Sequence, residues 1–381
     1  MDAYDVVCAM RVSLLPLAKH CRMNSQRFPA VALLAGALFA VSAPLSTDGL
    51  SFAPSEGSEV GRTFGTELDL QLDSFSLQAN GEDMTAMLGE FEFNVRTELE
   101  ISVSDTYAGL NDERPTKLER TFDSLEGSTI VSTTTMMGSE DQDLSASSEL
   151  EGKTVLFDWD EDDESYKVTW DNGEEDEEML GGLTEDMDLR AFLPEDEVSK
   201  GDSWTIELSE LAPLAMPGGN LRLVPDELEG AGDMDMGFFD GMKEEFSEQV
   251  AELFEGECVC TFKEIREVDD AKLAEISIEL EIASAANVAD MLMNFISTMG
   301  EQFGETPEVD IESADINLDF EGEGTLFWDL EAGRAASFEI SGEAILGLDL
   351  AVAVEAPDGS QTIEASIEMS GSYEQKVEMS D

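Results

Sequence analysis

The chain has 381 residues, with 87 Asp+Glu against 20 Lys+Arg and a single His, for a formal net charge of −67. Contacts to a phosphate backbone need clustered Lys and Arg, so a free-standing nucleic-acid binder is excluded. Adhesion to anionic lipid through a basic patch is excluded for the same reason, while a hydrophobic content of 42% still allows a core.

Residues 1–43 read as a leader. Phe28 to Val41 (FPAVALLAGALFAV) has the length of a signal-peptide h-region and is short for a membrane span. Arg22 and Arg27 precede it, and Val41-Ser42-Ala43 supplies small residues at the usual cleavage positions. Met23 is an alternative start, because residues 23–43 alone make a complete signal peptide. The chain is therefore expected to be exported, to the periplasm, the cell envelope or the medium. No Cys stands just after the h-region, so no lipoprotein attachment site is expected. The leader holds four of the 20 basic and two of the 87 acidic residues, so its removal moves the net charge from −67 to −69. Cleavage also removes His20, Cys8 and Cys21, leaving no histidine and only Cys258 and Cys260. Ser-His-Asp and Cys-His catalysis then lack a base, and His-ligated zinc lacks a ligand. Residues 44–58 are expected to be a flexible linker, and 59–381 a single acidic β-rich domain.

Period-two alternation dominates that domain. Phe64, Leu68, Leu70 and Leu72 share a face, and the phase slips at Asp73-Ser74 before resuming at Phe75 and Leu77, which predicts a bulge. Phe91, Phe93, Val95, Thr97, Leu99, Ile101 and Val103 take one side of the next strand, with mostly polar residues on the other. Leu118, Arg120 and Phe122 continue the meander. Val155 to Trp159 and Tyr166 to Trp170 flank an acidic turn as a hairpin. Asp158, Asp160, Asp162 and Asp163 have the rhythm of a calcium loop, but the sixth and twelfth positions, Asp163 and Thr169, are wrong for an EF-hand. Weak calcium binding at Asp171 to Glu178 is the functional reading of the next acidic run, and a solvated surface is the ordinary one.

Thr184 to Leu193 is expected to form a short helix ended by Pro194. Residues 238–254 place Phe238, Met242, Phe246, Val250 and Leu253 on one helical stripe. Residues 284–303 do the same with Val288, Met291, Leu292, Phe295, Ile296, Met299 and Phe303. These stripes either pack a core or offer a Met-rich, adaptable lining for an apolar ligand, whose candidate residues are Phe246, Val250, Met291, Leu292, Phe295 and Met299. Cys258-Val259-Cys260 sits on a strand, where both side chains face one way. A bridge over so small a loop is strained, so two small core residues beside Phe262 are expected, with a redox or soft-metal role as the alternative.

The alternation then resumes. Ile276 to Ile282, Ile316 to Leu330, Phe338 to Val354 and Ile363 to Met379 each keep one apolar parity. Gly322 and Gly324 are expected to kink their strand, Glu331-Ala332-Gly333 and Pro357-Asp358-Gly359 to turn the chain. Runs of this length span roughly 35–50 Å, against a usual strand of about 5–6 residues. Long one-faced strands twist and coil. The expected fold is mainly β (a β-rich α+β class): a long antiparallel curved sheet, half-barrel or barrel-like, covered by two or three amphipathic helices.

No G-x-S-x-G elbow, P-loop or dinucleotide fingerprint occurs. With so many acids, carboxylate pairs arise by chance, and neither Asp202 near Trp204 nor Asp329 beside Trp328 earns a catalytic role. No enzyme activity, catalytic residue or cofactor is expected, and the metal question is left open by the acidic clusters.

Leu193 to Trp204 (LPEDEVSKGDSW), together with Leu150 to Val155 and Arg114 to Leu118, resembles a pattern in uncharacterised acidic secreted proteins of planctomycete bacteria. That family carries no activity to transfer. The long meander with helical cover is similar in outline to half-barrel periplasmic lipid and lipoprotein carriers, which implies a hydrophobic small molecule or lipid as ligand. The alternative from the residues alone is a structural or interaction protein of the envelope, with an acidic surface tolerant of divalent cations.

Overall fold

The computed structural model describes residues 50–85, 89, 91–111, 114–135, 138–173, 178–225, 254–269, 271–289, 292–293, 309–356 and 359–380. Seven strands come from the first half of the chain: β1 (Glu59–Ala79), β2 (Glu82–Asp83), β3 (Glu92–Leu110), β4 (Pro115–Thr135), β5 (Gly138–Ser147), β6 (Thr154–Asp160) and β7 (Ser165–Trp170). Seven follow: β8 (Ser203–Ile206), β9 (Val224–Pro225), β10 (Phe254–Val268), β11 (Ala271–Asn287), β12 (Val309–Asp329), β13 (Arg334–Ala356) and β14 (Gly359–Ser380). All belong to one antiparallel sheet in the order β7-β6-β4-β3-β1-β14-β13-β12-β11-β10-β8, with β2, β5 and β9 as side branches. The sheet does not close, because β7 and β8 are its ends.

Alternation sets the register. On β3, Ile101, Val103, Asp105 and Tyr107 are buried while Glu92, Asn94, Arg96, Glu98 and Glu100 are exposed. The expected bulge on β1 is present, with the pairing to β14 shifting between Leu72 and Ser74. The hairpin of β6 and β7 forms as expected, Val155 facing Trp170. The first and last long strands, β1 and β14, lie side by side in the middle of the sheet. From that seam two arms spread by next-neighbour pairing: β3, β4, β6, β7 on one side and β13, β12, β11, β10 on the other.

Gly322 and Gly324 do not kink β12. Its ladder with β13 runs straight through Gly322↔Gly342, and the shifts fall at Ile311/Ser313 and Phe327/Trp328. Gly322 and its partner Gly342 instead make room for the Phe320 ring: a Cβ on Gly322 would lie 2.5 Å from Phe320 Cζ, and one on Gly342 2.8 Å from Cε2. That ring meets Tyr373 edge-on at 5.6 Å, the aromatic-over-glycine device that holds register in wide sheets.

On the outer face the register brings acids into direct opposition. Glu257 faces Glu281, Glu281 faces Glu321 and Glu321 faces Glu343. Like charges directly opposite are destabilising, so this row works against the sheet unless counter-ions screen it.

The helical cover differs from expectation. Among the described residues there is one short α-helix, α1 (Ala212–Ala215), and not two or three covering helices. Residues 284–287 continue β11, with Ser284 opposite Leu318 and Ala286 opposite Ile316. Ladder pairing beside Ile282 overrides the helix preference of the Ala run. The stretch 238–253 lies outside the described residues. Thr184 to Leu193 is not a helix either. Leu189 is left-handed at φ 64, and only Arg190–Phe192 make a 3₁₀ turn. The Asp188 carboxylate accepts from Arg190 N at 3.2 Å and Asp186 from Asp188 N at 3.4 Å, side-chain bonds that compete with helix formation.

The cover over the inner face is instead the irregular segment 178–221. Leu180, Leu183, Met187, Leu189, Phe192, Leu211, Leu214 and Leu221 are buried in the main core with Phe64, Ile101, Phe122, Phe157, Leu326, Trp328 and Phe338. The Phe192 ring lies 5.3 Å from that of Phe338 on β13, and Gln375 Nε2 on β14 donates to Leu214 O at 2.9 Å. Within the segment expected to be a linker, residues 50–58 are docked on the sheet. Leu50 and Phe52 are buried, and Trp328 Nε1 donates to Ser51 O at 3.2 Å.

Candidate functional site

Two places on the inner face stand out: a buried knot of charges under the covering segment, and an uncharged lane farther along the strands.

The knot begins with three ionic residues on the buried parity. Arg62 follows Val60 on β1, Asp105 follows Val103 on β3, and Arg120 sits between Leu118 and Phe122 on β4; the three are 3%, 1% and 1% exposed. Arg120 grips Asp105 with both edges, Nε to Oδ1 at 2.7 Å and Nη2 to Oδ2 at 2.8 Å. Arg62 Nη1 donates to the same Oδ2 at 2.5 Å, and its Nη2 donates to the Tyr107 hydroxyl. Arg120 reaches the covering segment as well, donating to Thr184 O at 3.0 Å and Glu185 O at 2.8 Å. There Arg190 donates to Glu185 at 2.8 and 3.0 Å and to Asp188 at 2.7 Å, and stands 3.5 Å from Asp186.

Three guanidiniums thus face four carboxylates, Asp105, Glu185, Asp186 and Asp188. Burial raises Glu185, and Arg190 opposes the rise. Burial together with the adjacent Asp188 carboxylate pushes Asp186 up to about 7. Asp186 is the carboxylate that Arg190 holds least closely, at 3.5 Å against 2.8 Å for Glu185 and 2.7 Å for Asp188. Tyr107 is raised by burial. The knot is a joint rather than a reaction site: each of its guanidiniums donates to a carboxylate, and the groups on the sheet are sealed from solvent. Beside it, Asp186, Met187, Leu189, Phe192, Glu210, Leu211 and Leu214 line a cleft with about 10 Å³ of water-accessible space, room for one water molecule.

The lane lies on β1, β3 and β4, beyond the covering segment. Its rows are Leu68–Thr97–Thr129, Leu70–Val95–Val131 and, at the far end, Phe93–Thr133. Leu68, Leu72, Phe93, Val95 and Leu99 are half-buried against the main core. Phe91 stacks on Phe93 at 6.3 Å and meets Phe75 at 5.6 Å. These positions carry no charged side chain. Among the described residues, Glu140 on β5 stands opposite Thr133 in the Phe93 row, and Glu82 on β2 stands opposite Ala79, several residues farther along β1; both are exposed.

Of the expected ligand-lining residues, Leu292 is described. Its N–H donates to Val288 O at 3.0 Å, and its side chain packs on a small cluster of Val288, Ala289, Ile311 and Ala314. Phe246, Val250, Met291, Phe295 and Met299 lie outside the described residues. Cys258 and Cys260 are free and fully buried beside Phe262. The hydrogen bond to Cys258 and burial raise the Cys260 thiol.

The acidic turns do local work. Asp158 pairs with Lys117 at 2.8 Å, and Asp160 accepts from Asp162 N at 2.9 Å. Asp202 accepts from Ser199 N at 2.8 Å, and Trp204 Nε1 donates to Phe192 O at 3.2 Å. The Gly-Asp-x-Trp stretch therefore ties the entry of β8 to the covering segment. Asp329 accepts from Glu331 N and Ala332 N in the expected turn. Among the described residues no group of three or more His, Cys, Asp or Glu is placed to hold a metal ion, and no helix is long and apolar enough to cross a membrane. No protein-family model matches the chain, and no curated protein matches it in sequence.

The knot was within reach of sequence reasoning. A charged residue on an apolar parity is a buried-ion signal, and Arg62, Asp105 and Arg120 each occupy one. Their partners at 184–190 carry no such signal, since no periodicity links them to β4.

Proposed function

We propose that this protein is an exported, non-enzymatic carrier, whose curved, half-barrel-like sheet holds an apolar or lipid-like ligand on its inner face. The observation that carries this reading is the lane itself, an apolar, half-buried strip continuous with the core and free of charge. Ligand sites are mostly apolar, and strands as long as these twist and coil. The likeness to half-barrel periplasmic lipid and lipoprotein carriers rests on the long antiparallel meander alone, without the expected helical cover, and is one of architecture. A second reading, a structural or interaction protein of the envelope, is favoured by the solid packing under the covering segment and by the outer glutamate row, which suits divalent cations.

Mature protein purified without detergent separates the two. Native mass spectrometry and solvent extraction should reveal a co-purifying lipid-like molecule, and a polarity-sensitive dye should be displaced by added lipid. No adduct and no displaceable dye would overturn the carrier reading, and a melting temperature that then rose with millimolar calcium would support the second.

A further inference from the structure

The joint that holds the covering segment has one charge out of balance. Arg62 and Arg120 both bind Asp105, and Arg190 is the guanidinium that binds Glu185, Asp186 and Asp188. Around them, Tyr107 of β3 pairs with Arg62, and Tyr166 of β7 stands against Glu185 with Arg114 beside it. Glu210, on the turn Leu208–Leu211, lines the same cleft as Asp186. Segment 50–58 packs the Phe52 ring against both Arg190, at 5.6 Å, and Tyr107, at 5.8 Å. Glu185 and Asp188 are 2% and 4% exposed, whereas Asp186 is 24% exposed and opens on the cleft. Asp186 is therefore the carboxylate that can exchange a proton with solvent while the knot stays assembled. The backbone anchors between Leu183 and Leu193 are sparse: Arg120 on the carbonyls of Thr184 and Glu185, Thr184 N–H on Gly218 O at 2.9 Å, Trp204 on the Phe192 carbonyl and one 3₁₀ turn.

We infer that the stretch 183–193 is a pH-sensitive latch, clamped on the sheet while Asp186 carries a proton and released as that proton is lost. With Asp186 neutral, three carboxylates meet three guanidiniums. With it charged, it repels Asp188 two residues on, while Arg190 is already bound to Glu185 and Asp188. Burial and the Asp188 carboxylate raise Asp186 to about 7 in the clamped state, against about 3.9 once it is released into water. The clamped state thus holds the proton more tightly; its advantage is complete below about pH 4 and is lost as pH climbs to about 7. His20 is the only histidine in the chain, so no imidazole of the domain titrates in that interval. Release uncovers the apolar side chains of Met187, Leu189 and Phe192 and the Phe338 ring packed on them. The latch goes beyond the carrier reading and does not depend on it.

The test is hydrogen exchange of the full mature protein, followed by mass spectrometry from about pH 5 to about pH 8 and expressed as protection factors, which remove the intrinsic pH dependence of exchange. Peptides over 183–193 should exchange well ahead of those from β12 and β13, because the latch opens while the sheet stays folded. Their protection should fall about tenfold or more across the range, as expected of a proton held at about 7 when clamped and at about 3.9 when released. Asp186→Asn, which keeps the neutral form at every pH, should flatten that fall, and Asp186→Glu should retain it. A flat wild-type profile would overturn the latch, as would exchange of 183–193 no faster than that of β12 and β13. Both outcomes are read on the wild type alone. An undiminished fall in Asp186→Asn would equally overturn it.

Discussion

The covered half of the inner face and the lane are built from the same strands by opposite means. Under the segment 178–221, β1, β3 and β4 contribute Arg62, Asp105 and Arg120 to a sealed ionic joint. Some 20 Å farther along the same strands, at about 3.4 Å per residue, they contribute only Leu, Val, Phe and Thr. The ions belong where a loop must be held. Isolated buried charges are costly, but charges that bind one another and backbone carbonyls fix a single docking geometry for a segment without regular structure. The lane has no such partner to specify, and its half-exposed apolar side chains leave contact surface available.

The sharpest way to break this contrast is at Asp105. Asp105→Ala leaves two guanidiniums buried without their carboxylate and should cost about 3–5 kcal/mol, read as a lowered denaturant midpoint. A loss under about 1 kcal/mol would mean that the joint is ornamental.

Packing sets the next comparison. Phe192→Ala opens a cavity against Phe338 and should cost about 3–5 kcal/mol. Phe93→Ala in the lane should cost about 1–2 kcal/mol, because a half-buried ring has less surface to lose. Equal losses in the two denaturation curves would show that the lane is as filled as the core.

Protonation gives a third handle. Asp186 is raised to about 7 in the folded chain, against about 3.9 for an unfolded aspartate. The folded state therefore holds the extra proton between those values. Its contribution is complete below about pH 4 and is lost as pH climbs to about 7. Across that interval wild type should lose stability relative to Asp186→Asn. Melting curves that stay parallel from pH 4 to 8 would remove Asp186 from the knot's charge balance. Facing it are Glu185, Asp188 and Arg190 from its own segment, with Arg120 and Asp105 beyond them.

The smallest effect lies on the outer face. Glu321→Gln relieves two opposed pairs, with Glu281 and Glu343, and should stabilise by up to about 1 kcal/mol. Wild type should gain melting temperature between 10 mM and 1 M NaCl as the carboxylates are screened, and the variant should gain less. A flat salt profile would show that the row carries no strain.

Much of this architecture is written in the parity of single residues. The runs through Phe93, Val95 and Leu99, the bulge after Leu72 and the burial of Cys258 and Cys260 all follow from which side of a strand each residue occupies. The covering segment was misread for a physical reason. Thr184 to Leu193 has helix-like apolar spacing, but Asp186 and Asp188 bind backbone N–H groups, and Arg120, more than sixty residues earlier, takes the carbonyls of Thr184 and Glu185. Long-range bonds of this kind leave no local trace. Residues 284–287, expected as the start of the helix over 284–303, are strand for a like reason, because their pairing with β12 decides it. The lane's residues were visible as a pattern, but their freedom from charge across three strands becomes evident only once register places them side by side.

The pairing of β1 with β14 has a bearing on how the chain comes to be. On the ribosome β1 (Glu59–Ala79) is made long before its neighbour on the far side, β14 (Gly359–Ser380). Contacts so remote in sequence form slowly, and until they do one flank of the nascent hairpins stays unsatisfied. Until β14 is made, that open flank needs protection from other copies of the chain.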